Sequence, residues 1–432
     1  MLLGLAGHGG GGGHQALALD GADSDRGDRT RQGGPGQPVC GPAPGGMTAE
    51  LYDLGMRLAA AAGGRPADRL AGAPLVRPAA PVAIRAVRRK GLVIAAAAVP
   101  GQAEQQASGP AVLTMLSGMG VQITAAPWRT LITQDDVTLP ALLGLARAAG
   151  ADSRQAATAA HIGWWADRAD FPGSTGVVPL LRACRERWVT GTAPSYEASA
   201  RTWRAWLRVP GGGCTAMLAM LAQVQAGIPL PLLAAIETDT ARSWEAAQAG
   251  FAAGADWRRP DTAARAAAGL WARNDAADLY TAALLHDPLY RRRAVHTGHV
   301  VTGTARGPDP RAKTITVICD RADGRLRETD DVTGWTGSLA SRPDQVFRGT
   351  VTAAEITGGT LTLTVACGRA RPADGTPVTL HAADPAANAM LSLRGYRERL
   401  YQAPGSWMAA GRTPRPERRD VPLGVMIAGA AD

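Results

Sequence analysis

The sequence predicts an α+β, multi-domain protein: a mostly helical body followed by a small C-terminal β-barrel of OB or SH3-like type. Three observations predict it. Residues 136–290 carry Ala and Leu at helical spacing. From about 297 the chain turns into short Val/Thr/Ile runs separated by Gly, Pro or Asp. A length of 432 residues at 46% apolar composition is enough for more than one core.

Residues 1–46 are mostly Gly, Asp, Pro and Arg without apolar periodicity, the composition of a disordered extension. Met47 opens "MTAELYDLGMRLAAAAGG", a helix with Thr48 near its N-cap, and is expected to be the natural start. Residues 47–135 form a mixed N-terminal region. In it 64–82 reads as a proline-bearing linker, and 82–99 as two short strands around Lys90–Gly91. "PAVLTMLSGMG" (110–120) reads as a short helix.

Residues 136–190 form a helix-turn-helix-like module. Leu139, Leu142, Leu143 and Ala146 share one face of the first helix, and Gly150 stops it. Asp152 or Ser153 caps the second, whose N-terminus presents Arg154, Gln155 and Thr158. Arg and Gln can pair bidentately with guanine and adenine edges in the major groove. Beyond it stand Trp164 or Trp165, Arg168, Asp170-Phe171-Pro172, Gly173, Pro179-Leu180 and Trp188. Their order resembles a small helix-turn-helix module of actinobacterial plasmid, phage and restriction-associated proteins. There a recognition helix ends in Trp and Arg, then come an Asp-Phe-Pro corner, a glycine loop and a helix closed by Trp.

The resemblance covers about 55 of the 432 residues. Its first half departs from the pattern, because the spacing from Gly150 to Trp164 is several residues longer. It implies that Phe171 and Trp188 plug a small core, that Pro172 fixes the turn, and that the loop lies near the DNA backbone. An ordinary helical bundle whose Trp and Phe fill a core is the alternative.

Residues 191–295 read as an Ala-rich helical domain, with Trp203, Trp206 and Trp271 as core. The uncharged stretch 209–236 contains Gln223, Gln225, Pro229 and Pro231, so it reads as a buried helix and turn rather than a membrane span. "RRRAVHTGH" follows, and its Arg291, Arg292 and Arg293 offer phosphate contacts. Residues 296–384 form the barrel, with "GRLRETDD" among five or six strands. Its clearest hairpin turns at Thr357-Gly358-Gly359. Phe347, Val351, Leu361, Leu363, Val365 and Cys367 point to one side, and Arg348 with a row of threonines to the other. Trp335 is the stacking candidate for a single strand. Residues 385–432 read as a helix and an Arg/Pro-rich tail.

The net charge of +9 permits an anionic partner, although Lys occurs only at Lys90 and Lys313 and the Arg/Ala/Gly bias is that of a GC-rich, actinobacterial genome. Five scattered cysteines, and a chain start that does not read as a secretory signal, fit the cytoplasm. There is no P-loop, no dinucleotide fingerprint, no nucleophile elbow and no Asn-Pro-Pro-Tyr motif. His296 and His299 lack further ligands for a metal, so no cofactor is predicted.

The sequence therefore predicts a non-catalytic DNA-binding protein of a plasmid or mobile element, with duplex favoured over single strands and no membrane partner. The predicted contacts are Arg154, Gln155, Thr158, Arg168, Arg291, Arg292, Arg293, Trp335 and Arg348. Two alternatives stay open: a nucleic-acid-processing enzyme with dispersed site residues, and a scaffold that holds a protein partner at the barrel.

Overall fold

The structure is a computed structural model that describes residues 48–410, less 79, 150–153, 338, 340–345, 369–370 and 387–395. The predicted extension 1–46, the Gly150 stop, the Asp152/Ser153 cap and the arginine tail lie outside the described residues. The described residues all belong to one unit, Gly45–Asp432.

Helix α1 (Ala49–Gly63) begins as predicted, with the Thr48 side chain accepting from the Leu51 amide at 3.3 Å, and Gly64 ends it in the left-handed conformation. After a two-residue strand β1 (Ala67–Asp68), the predicted hairpin appears as β2 (Pro81–Arg89) and β3 (Leu92–Ala98). Its turn is Lys90–Gly91, both at positive φ, the mirror-image turn that matches strand twist.

Strand β4 (Gln105–Ser108), α2 (Ala111–Gly118), β5 (Thr130–Thr133), α3 (Thr138–Ala148), α4 (Ala156–Arg168) and β6 (Val177–Pro179) follow. They build a five-stranded sheet in the order β4-β3-β2-β5-β6, with β5 parallel to β2 and to β6. Parallel neighbours need a crossover. The helices α3 and α4 are that crossover between β5 and β6, rather than a separate helix-turn-helix.

The chain then runs through α5 (Leu180–Arg187), β7 (Trp188–Val189), a 3-10 turn at Pro194–Ala198, α6 (Ala200–Trp206) and α7 (Gly213–Val224). Next come α8 (Leu233–Ala252), α9 (Ala263–Leu285) and α10 (Pro288–His296). No helix among the described residues is long and apolar enough to cross a membrane, and the uncharged stretch folds as α7 and a turn.

The sheet is buried on both faces, which explains the unbroken apolar run of β3. On one face Val82, Ile84, Val93, Ala95, Ala97 and Leu131 share a core with α2, α3, α4 and Trp244 of α8. On the other, α7 packs on β2 and β3, and the Cys214 thiol donates to the Ala96 carbonyl at 3.2 Å. Trp203 is fully buried as predicted, while Trp271 is 45% exposed beneath the Arg397 guanidinium.

The C-terminal barrel closes in the order β10-β11-β12-β9-β8-β13, every pair antiparallel. Its strands are β8 (Val300–Asp309), β9 (Thr314–Cys319), β10 (Asp331–Thr336), β11 (Val346–Thr357), β12 (Thr360–Cys367) and β13 (Pro377–Ala382). "GRLRETDD" reaches strand only at its last residue, Asp331, and the strand itself is "DVTGWT". The apolar side of the β11–β12 hairpin lies inward as predicted, with Phe347, Val351, Leu361, Leu363, Val365 and Cys367 all in the barrel core. A bulge between Val351 and Ala353 resets the alternation in β11.

Candidate anion site

Four of the predicted contacts, Thr158, Arg168, Arg291 and Trp335, are buried. Helix α4 is enclosed nearly all round, so it cannot lie in a groove. Thr158 is 1% exposed, and Trp165 is fully buried with its indole N–H donating to the Arg129 carbonyl at 2.8 Å. Burial of so large an aromatic surface outweighs what a few groove contacts return. Gln155 is turned to α2, donating to Thr114 Oγ1 at 3.0 Å and the Pro110 carbonyl at 3.3 Å.

Arg168 is buried, 3.3 Å from Asp239 and 3.3 Å above the Phe171 ring. The Phe-Pro corner is therefore a lid over a buried guanidinium. Trp335 is buried against His381, and Arg291 stands 5.2 Å over its ring, so these two seal α10 to the barrel. Arg154, Arg292 and Arg348 are exposed, in the turn before α4, on α10 and on β11.

Arg293 leads to the one predicted position that joins a site. It lines a cavity of about 420 Å³ together with Arg69, Arg182, Arg185, Glu186, Leu284 and Tyr290. Helix α5 supplies Arg182, Arg185 and Glu186 at helical spacing, so the stretch after the Phe-Pro corner presents one charged face. Trp188 closes that helix and fixes the opposite wall: its indole N–H donates to Asp68 at 2.9 Å, and β7 pairs with β1. The next residue, Arg69, donates through its own amide to the Arg187 carbonyl and through its side chain to the Arg185 carbonyl.

Asp287 ties this loop to α10. One of its carboxylate oxygens caps the helix through Leu289 and Tyr290, and the other accepts from Ala71 and Gly72, both at 2.8 Å. A buried carboxylate accepting four amide protons holds both walls rigidly.

Two carboxylates trim the positive charge. Asp53 of α1 accepts from Nε and Nη2 of Arg293 at 2.9 and 3.0 Å and stands 3.5 Å from Arg69. Burial pushes the Asp53 carboxyl up, but the Arg293 bond and the charges of Arg69 and Arg57 outweigh it and hold it below the usual range. Glu186 accepts from Tyr280 at 2.5 Å and from Arg182 at 3.1 Å. Burial lowers the Arg69 guanidinium and raises the Tyr290 hydroxyl, so Tyr290 stays a protonated donor at neutral pH. Arg185 has no ion-pair partner among the described residues, and the Arg69 Nε is buried without an acceptor.

Sequence reasoning missed Arg69, Arg182, Arg185, Glu186 and Tyr290. The Arg182/Arg185 spacing was a local signal, but nothing local links it to Arg69 or Arg293. A second basic feature also went unread: Arg88, Arg89 and Lys90 are exposed at the tip of the β2–β3 hairpin. Groups of acidic, His or Cys residues able to hold a metal ion are lacking among the described residues. Compared with known protein families, curated proteins and solved structures, the chain matches none.

Proposed function

We propose that this is a DNA-binding protein that grips phosphate through the arginine-lined cavity, serving the replication, end protection, segregation or regulation of a plasmid or mobile element. The observation that carries this reading is the convergence of Arg69, Arg182, Arg185 and Arg293 on one cavity. Guanidinium forks match phosphate geometry and keep their charge at any physiological pH. They bind but do not exchange protons, and both Glu186 oxygens are already engaged, so binding is favoured over turnover. The hairpin tip at Arg88–Lys90 adds outlying phosphate contacts. An OB or SH3-like role for the barrel, holding a strand or protein partner on its outer face near Arg348, belongs to the same proposal.

The test is fluorescence anisotropy of the full chain with random duplex and single-stranded DNA at two salt concentrations. Binding should weaken with a log–log slope of about −0.9 per phosphate contacted. Arg182→Ala with Arg185→Ala should flatten that slope by about one to two units. Absence of binding, or binding indifferent to salt, overturns the reading.

A further inference from the structure

We infer that the cavity is a receptor for a phosphate monoester dianion, the group carried by a DNA terminus or a nucleoside monophosphate. This rests on reading the cavity as a phosphate site; the DNA reading supplies one of the two sources of the monoester. Charge selects the ligand. The lining carries four arginines and one carboxylate, Glu186, with Asp53 paired to Arg293 beside them, so it is net positive. An internal phosphodiester brings one negative charge, whereas a monoester brings about −1.5 to −2 at neutral pH.

Size and donors agree. A cavity of about 420 Å³ has the volume of a small-molecule site, and a duplex backbone passing across it would fill it poorly. The walls offer Arg185, which has no ion-pair partner among the described residues, the Arg69 guanidinium and the protonated Tyr290 hydroxyl. A terminal phosphoryl group exposes three oxygens and can use all of these together. Leu284 gives an apolar surface beside them for the attached sugar or base.

The experiment uses the full chain and duplexes of one sequence ending in 5′-phosphate, 3′-phosphate or hydroxyl. One phosphorylated end should bind about tenfold tighter than the hydroxyl end. In Arg185→Gln that preference should fall to about threefold or less, without loss of thermal stability, because Arg185 is exposed and unpaired. In parallel, dAMP and deoxyadenosine are titrated by calorimetry, and dAMP alone should bind.

Equal affinity for all ends, with no dAMP binding, overturns the inference and leaves DNA binding standing. Binding of dAMP that Arg185→Gln abolishes, with no affinity for DNA, supports the monoester site and overturns the DNA reading. Failure of both ligands overturns both.

Discussion

Arg168→Ala separates a structural guanidinium from a DNA-contacting one. Arg168 is 4% exposed in its side chain, and Asp239, 3.3 Å away, is 13% exposed. Removing one partner of a buried pair costs about 3–5 kcal/mol. Asp239 keeps some contact with water, so the lower end, about 3 kcal/mol, applies. The guanidinium also stands 3.3 Å above the Phe171 ring, which adds about 1 kcal/mol. Urea unfolding followed by Trp fluorescence should therefore show a loss of about 4 kcal/mol. Asp239→Ala should cost less than the sum implies when combined with Arg168→Ala, with a coupling of about 2 kcal/mol. Below the unfolding transition, the salt slope for DNA should be that of the wild type. A stability loss under about 1 kcal/mol together with weakened DNA binding would refute the reasoning, because it would place Arg168 at a ligand instead of beneath Phe171.

Two further outcomes follow from buried titratable groups. Burial holds His161, packed against Trp164, Trp165 and Trp244, down to about 4. The unfolded chain then takes up the proton first, so stability is full above about pH 6.5 and falls by about 3 kcal/mol as pH drops to about 4; His161→Phe should flatten unfolding midpoints across that window, and an unchanged slope would contradict it. Burial also raises the thiols of Cys184, Cys214, Cys319 and Cys367, to about 12 for Cys214 and Cys319 and about 11 for Cys367. A disulfide reagent at neutral pH should label none of these four rapidly in the native protein and all four in denaturant; rapid native labelling of any one of them would refute this.

The legible parts of the fold were those written in local periodicity. The β11–β12 hairpin alternates cleanly about Gly358–Gly359, and its inward face was readable residue by residue. The β2–β3 hairpin and α1, with its Thr48 cap, were readable for the same reason. Strand β10 was hidden by its glycine: a Cβ at Gly334 would collide with the Phe347 ring, so the barrel core demands a residue that reads as loop. Helix α4 was misread because a polar N-terminus at Arg154–Gln155 looks alike whether it meets DNA or the end of α2.

By itself, the sequence determined many of the helices, a Val/Thr-rich C-terminal barrel and a basic surplus, because each depends on composition or on neighbours within a few residues. Tertiary structure alone decided which charges are usable. It buried Arg168 and Arg291, which look as available in the sequence as any other arginine. It brought Arg69, Arg182, Arg185 and Arg293 to one cavity from three distant segments, held there by Asp287 and Asp53. The physical reason is range: hydrogen-bond periodicity acts along the chain, whereas burial and electrostatic convergence depend on segments that meet only after the chain has folded.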